Sequence, residues 1–412
     1  MRVCFVTAHH ISFQPRALRE ADALSAAGHD VRVVCRQTDS TLTTSDSQLM
    51  SVRPWKLQPV VLNRNGDSRG RWLIEATRAK AFEQLFQLGL RNERVASRSY
   101  VRGLGAAVDI ASSEKADWFI AHTQAALPIA SAAAGRWNGK LGFDCEDLLS
   151  ELGTDPPEII ELIEREYLPA CDYISVPSQS IGERLSERYN IRPPVVLYNV
   201  FPRELADGML EPEDRPAVEA FRLHWFGQTI GEGRGLEEAI EAIKQIDGKV
   251  ELHLRGRMTE QYRARLESLA VGDSRRQIVF HPLIAHDELI RSLEQFDVGL
   301  ALERPENGGY ARTVTNKVFS YLLGGLAIAA TDTPGQREVL ERIPKAGFLY
   351  EAGKPELLAR GLQRWLADRD AVRAAQQCAW AAARQRFCWD LEKEKFLNLL
   401  EPSTLGRLRQ TA

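Results

Sequence analysis

Short runs rich in β-branched and aromatic residues alternate with amphipathic helical stretches almost throughout this chain, and no other feature restricts its fold as tightly. RVCFVTA (2–8) precedes PRALREADALSAAG (15–28) and DVRVVC (30–35), and the order repeats in DWFIAH (117–122), ALPIASAAAGRW (126–137) and KLGFDC (140–145). Apolar strand runs separated by helices predict parallel sheets with crossover helices on both faces. The pattern breaks at FPRELADGMLEPEDRPA (201–217), which is polar, acidic and interrupted by proline, and resumes with FRLHWFG (221–227), KVELHLRG (249–256), QIVFHP (277–282), DVGLALE (297–303) and LAIAATD (326–332). This predicts an α/β protein of two doubly wound, Rossmann-like domains: 1–200, a linker at 201–217, 218–390, and a helical tail at 391–412. Such sheets bind ligands beyond their strand carboxyl ends, so the expected site lies on strand-end loops facing a cleft between the domains.

Length and charge agree with that picture. The 412 residues suffice for two cores, and 53 Lys and Arg against 56 Asp and Glu leave a net charge of −3, too little positive field to hold nucleic acid. The six cysteines are scattered without a C-x-x-C pair, and Met1-Arg2-Val3 leads straight into a strand-like run, so a cytoplasmic protein with buried thiols is expected. Residues 51–104 stand apart, with eleven Lys and Arg against four Asp and Glu, and with Trp55, Trp72, Phe82 and Phe86 interleaved. The stretch reads either as a solvated helical face or as a peripheral contact with the inner face of an anionic membrane.

Two segments can carry chemistry. In Phe226-Gly227-Gln228-Thr229-Ile230-Gly231-Glu232-Gly233-Arg234-Gly235-Leu236 a strand ends in glycines and opens a helix near Leu236. Glycines let backbone N–H groups approach a phosphate, and Arg234 can add a forked, charge-assisted bond; a plain β–α turn has the same composition. The second segment, TNKVFSYLLGGLAI, runs from Asn316 and Lys317 through Ser320 to a glycine stop and a buried strand, then to a turn holding Gly335 and Gln336.

In their order these residues resemble the family-4-type retaining glycosyltransferases of the GT-B fold, one subgroup of which carries P-N-K-x-F-E-Y-x-x-x-G. The resemblance extends over nearly the whole chain, through the Gly28-His29-Asp30 turn, the strand ending at His122, Tyr198-Asn199, His253-Leu254-Arg255-Gly256 and Gly347-Phe348-Leu349-Tyr350. It implies sugar transfer from a nucleotide-sugar to a hydroxyl of a glycan or glycolipid acceptor, with retention, in surface polysaccharide synthesis, without a metal or other cofactor. Carried over, Gly227, Gln228, Arg234, Asn316, Lys317, Ser320, Gly335 and Gln336 face the donor, and His122 stands near the acceptor as a candidate catalytic residue, with Glu146 below as the other.

Three positions depart from the family pattern. Arg312 and Ser320 occupy the places of a glutamate pair, Gln228 replaces an arginine, and Asp144-Cys145-Glu146-Asp147 replaces D-x-H-E. Glu146 thereby becomes a candidate for accepting a hydrogen bond, or a proton, from the acceptor hydroxyl. The acidic run alone could suggest Mg²⁺, but hard cations draw ligands from several segments, and no metal is expected. His9 and His10, after the first strand, suit either an acceptor-side or a structural role. Residues 306–310 suit either a loop around the transferred sugar or plain surface. The alternative functions are a catalytically weak GT-B binding or partner subunit, and a nucleotide-sugar epimerase or phosphorylase. A dehydrogenase lacks the complete dinucleotide fingerprint.

Overall fold

The computed structural model describes residues 1–66, 68–270, 274–306 and 308–401. They form two compact units, Met1–Leu197 joined by residues 393–401, and Tyr198–Glu392. The first unit carries seven parallel strands: β1 (Arg2–Thr7), β2 (Asp30–Gln37), β3 (Lys56–Val61), β4 (Trp118–His122), β5 (Lys140–Asp144), β6 (Tyr173–Val176) and β7 (Val195–Val196), in the order β3-β2-β1-β4-β5-β6-β7. The second carries six: β8 (Phe221–Thr229), β9 (Val250–Arg257), β10 (Arg276–His281), β11 (Val298–Ala301), β12 (Ala327–Thr331) and β13 (Gly347–Tyr350), in the order β10-β9-β8-β11-β12-β13.

Alternation of side chains explains why the strands read as apolar throughout. Along β1 and β4, Cys4, Val6, Phe119 and Ala121 feed one core while Val3, Phe5, Trp118 and Ile120 feed the core on the opposite face. Phe396 and Leu400 complete the latter core, so the residues after 392 belong to the first unit. The tail expected at 391–412 is described only to 401.

Sequence patterning missed one strand. KLQPVV pairs with β2 from Arg32↔Lys56 to Gln37↔Val61, inside the basic segment that was expected to be helical. It lies at the sheet edge, where Pro59 is tolerated, and only Val60 is fully buried, so no period-2 signal stands out. Helices Arg69–Gln87, Glu93–Tyr100 and Leu104–Ala111 fill the remainder. Residues 201–217 carry 3-10 turns at Arg203–Ala206 and Pro212–Asp214, and the buried Arg215 donates to the carbonyls of Gly324 and Gly325 at 2.7 and 2.9 Å. No helix among the described residues is long and apolar enough to cross a membrane.

Strand order reverses direction between β1 and β4 in the first sheet and between β8 and β11 in the second. At such switch points the loops leaving neighbouring strands diverge and open a crevice. Each unit therefore presents one constellation of strand-end residues.

Candidate functional site

In the first unit the constellation centres on His122, the last residue of β4, which is fully buried. Its Nε2 lies 3.1 Å from Glu20 Oε2, and its Nδ1 lies 3.0 Å from Glu146 Oε1 and 3.4 Å from Asp144 Oδ2. Carboxylates face both nitrogens, so both donate and the ring is an imidazolium. Burial opposes that charge, but Glu20, Glu146 and Asp144 outweigh it and push the pKa up to about 10.

Arg16 and Glu20 lie one turn apart on helix Pro15–Ala26, both turned inward. The Arg16 guanidinium forks onto Asp144, with Nε to Oδ2 and Nη2 to Oδ1 both at 2.7 Å, and also reaches the Leu197 carbonyl at 3.0 Å. Burial would raise Asp144, but this fork holds its carboxyl below the usual range. For Glu20 burial wins, and its carboxyl is pushed up despite His122. Burial and then the Glu146 charge push Asp147 up to about 7. Glu146 retains 15% side-chain exposure, whereas His122, Asp144 and Glu20 are sealed beneath it. Of the two residues expected to be catalytic, Glu146 is the one that reaches the surface, and His122 is sealed behind it.

Glu20, His122 and Asp144 each offer a ligand atom, all within 4.8 Å of one another. Those atoms are already spent on one another and on Arg16, so the set is a closed ion-pair network rather than an open coordination sphere. His10 is likewise engaged: its Nδ1 meets Asp46 Oδ2 at 2.8 Å, and its Nε2 accepts the amides of Thr38 and Asp39 at 2.8 and 3.1 Å. His9, the other half of the pair, is exposed.

In the second unit β8 carries a register irregularity between Phe226 and Thr229, then turns through Gly231–Gly235 into helix Leu236–Lys244. Gly235 caps that helix at φ +75°, where a Cβ would stand 2.7 Å from Leu302 Cβ, so only glycine fits both the conformation and the space. Gln228, near the end of β8, and Arg234, on the turn, are exposed. Directly across the switch point, Glu303 follows β11 and accepts from Lys317 Nζ at 2.7 Å. Both side chains are 13% exposed, and the ammonium also lies 5.4 Å from the Trp225 ring centroid. Burial would raise Glu303, but Lys317, with a contribution from Arg234, holds its carboxyl below the usual range. Arg234, Glu303 and Lys317 thus form one charge cluster at the ends of β8 and β11. A cavity of about 570 Å³ adjoins the turn, lined by Thr229, Ile230, Gly231, Arg257 and Tyr262 among others, within the size range of small-molecule sites.

The remaining expected donor residues divide between outward and inward positions. Asn316, exposed at the start of helix Asn316–Gly324, accepts from Asn199 Nδ2 at 2.9 Å. Gly335 lies so close to the Thr313 carbonyl that a Cβ there would approach its oxygen to 2.3 Å. Gln336 is fully buried and donates to Thr331 Oγ1 at 2.8 Å, bracing the turn after β12. Ser320 is also fully buried, with no hydrogen-bond partner for its hydroxyl among the described residues. Of the loop 306–310, Asn307 lies outside the described residues. Sequence reading did not single out Glu303, Arg16 or Glu20. An acid directly after an apolar strand run was a visible signal for Glu303, whereas nothing local marks Arg16 or Glu20.

Residues 13–199 match the family described as glycosyl transferase 4-like domain, and residues 220–368 match glycosyl transferases group 1. The chain belongs to the GT-B glycosyltransferases. Among solved structures, this glycosyltransferase is similar to one from Rickettsia africae ESF-5 (14% identity, 97% of this chain and 99% of that one, TM-score 0.66). It is also similar to Alr3699/HepE of Anabaena, solved with UDP and glucose (16% identity, 97% and 99%, TM-score 0.65), and to sucrose-phosphate synthase of Thermosynechococcus elongatus (15% identity, 97% and 98%, TM-score 0.66). No curated protein matches it significantly in sequence.

Proposed function

We propose that this glycosyltransferase moves a hexosyl unit from a nucleoside diphosphate sugar to a hydroxyl of a glycan or lipid-linked acceptor, with retention, in surface polysaccharide synthesis. The observation that carries the donor half is the cluster of Arg234, Lys317 and Glu303 at the switch point of the second sheet. Departure of a diphosphate concentrates negative charge, and preorganised cations with backbone amides at a glycine turn stabilise it. Glu303 holds the Lys317 ammonium in place and Arg234 is exposed, so one cation is fixed and the other is free to close on the ligand. Glu146, oriented by the His122 imidazolium, is suited to receive a hydrogen bond from the acceptor hydroxyl. Alr3699/HepE was also solved with UDP-glucose, and TarM of S. aureus with fondaparinux, α-GlcNAc-glycerol and UDP, which supports this choice of substrate classes. No metal is assigned a part in the reaction.

The test is a thermal-shift and calorimetric screen of UDP, GDP, ADP and their sugar conjugates, followed by a turnover assay with any ligand that binds. Arg234→Ala, at an exposed position, should weaken the selected nucleotide about tenfold or more with an unchanged melting temperature in its absence. Unchanged affinity would remove Arg234 from the phosphate site. A second reading, a donor-binding partner subunit without turnover, is favoured by the sealed Ser320 hydroxyl, where the family carries a glutamate toward the ribose. Binding without turnover would select it.

A lipid-linked acceptor is supported by helix Arg69–Gln87. Leu73 (60% exposed), Ile74, Leu85 and, just beyond the helix, Leu88 (84% exposed) share its outer side. Trp72, Ala79, Phe82 and Phe86 face the core. Helical spacing places Arg69 and Lys80 along one flank of the outer ridge and Arg71 and Arg78 along the other. An apolar ridge between two cationic flanks is complementary to an anionic bilayer surface, and a second copy of the chain would bring like charges together. Vesicles of phosphatidylcholine with phosphatidylglycerol should sediment the protein. The combined Leu73→Ser, Ile74→Ser and Leu88→Ser variant should bind about tenfold less. Equal sedimentation of both proteins, or none of the wild type, would refute the contact.

A further inference from the structure

A second cluster of cations lies in the first unit, away from the ion-pair network around His122. Arg36, near the end of β2, and Arg102 line a cavity of about 460 Å³ together with Thr38, Trp72 and Tyr100. Arg36 is partly buried and, among the described residues, has no carboxylate partner. Among the described residues its Nη1 reaches only the Arg102 carbonyl, at 3.5 Å, and its buried Nε has no hydrogen-bond partner. Glu75 and Glu83 also line the cavity. Glu75, however, is committed to Arg78 at 2.8 Å and to the Gly103 amide at 3.2 Å, and Glu83 is exposed. The Tyr100 hydroxyl donates to Asp155 at 2.8 Å.

A half-buried guanidinium facing a second guanidinium is costly to keep unless an anion completes the arrangement. Burial, and then the Arg102 charge, lower the Arg36 pKa, in keeping with a cation that has no counter-charge among the described residues. The cavity borders the segment that carries His9 and His10, because Thr38, which lines it, donates its amide to His10 Nε2 at 2.8 Å.

We propose that Arg36 and Arg102 bind a phosphate group carried by the acceptor, holding it so that the acceptor hydroxyl is presented toward His9 and Glu146. A tetrahedral oxyanion can take forked bonds from two guanidinium groups at once, and the cavity volume leaves room for a sugar or glycerol unit beside it. The assignment rests on reading the first unit as the acceptor side, and it is independent of which nucleotide the second unit takes.

Inorganic phosphate is the first probe, used at millimolar concentration in a thermal-shift assay with and without saturating UDP. Phosphate should raise the wild-type melting temperature in both cases, and Arg234→Ala should leave that rise intact. Arg36→Gln should abolish the rise and, without phosphate, melt no lower than the wild type, because it removes an uncompensated charge rather than a structural bond. Arg102→Gln, at an exposed position, should weaken phosphate about tenfold. Absence of a rise in the wild type, its persistence in Arg36→Gln, or its loss in Arg234→Ala would overturn the proposal. A failed donor reading would show separately as no response to any nucleotide. Competition by glycerol 3-phosphate would support a soluble acceptor phosphate, competition only by phosphatidic acid vesicles would support a lipid-borne one, and competition by neither would refute the site.

Discussion

Replacing Lys317 with methionine is expected to lower turnover by about two to three orders of magnitude and to destabilise the second unit by about 2–4 kcal/mol. The catalytic loss follows from removing a fixed cation at the place where the leaving diphosphate gathers charge. The stability loss has a different origin. Glu303, 13% exposed and 2.7 Å from the ammonium, would be left in a poorly solvated position without its counter-charge. Glu303→Gln added to Lys317→Met removes that orphaned charge, so the double variant should recover most of the stability and none of the turnover. Because the Glu303 carboxyl is held below its ordinary value of 4.5, the pair's contribution is present above that pH and is lost as the pH falls through the lowered value. Denaturant melts of the three proteins beside donor turnover would check this. Undiminished turnover in Lys317→Met would remove the residue from the chemistry.

Raising the pH should destabilise the first unit through His122. An unfolded histidine titrates near 6.5, whereas the buried imidazolium holds its proton to about 10. Its stabilising contribution is therefore complete below pH 6.5 and declines as the pH climbs toward 10, a change on the order of a few kcal/mol. Once neutral, the ring can donate from only one nitrogen, and either Glu20 or Glu146 loses its bond. His122→Gln should melt several degrees lower at neutral pH and show a flatter dependence between pH 6.5 and 10. Turnover should fall with it, since Glu146 loses the group that orients it. A wild-type melting temperature that stays level to pH 10, or a variant with the same slope as the wild type, would rule out the imidazolium network.

Much of the architecture could be read from local pattern. Leu236 begins the helix after the glycine turn, and Gly325 ends helix Asn316–Gly324 in the left-handed conformation at φ +62°, both where the residue types require. The buried strands announced themselves because both faces of each sheet are covered. Strand β3 did not, since an edge strand with one fully buried residue and a proline has little pattern to detect. The donor-side segment was legible for a related reason: glycines, Arg234, Asn316 and Lys317 lie in two short runs whose local chemistry suits a phosphate.

What the chain determined by itself was therefore its alternating strands and helices, its glycine turns, and the residue types available at strand ends, because these depend on interactions between near neighbours. Tertiary structure alone decided which of those residues meet. Arg16 finds Asp144 across 128 positions, Glu20 finds His122 across 102, and Lys317 turns to Glu303 across 14, each because a helix packs where a parallel strand delivers its carboxyl end. Strand-end position placed Glu146 at the site, but only packing sealed His122 beneath it, stranded Arg36 beside Arg102 and buried the Ser320 hydroxyl. Burial and long-range charge pairing are properties of the assembled sheets, and no local run of residues encodes them.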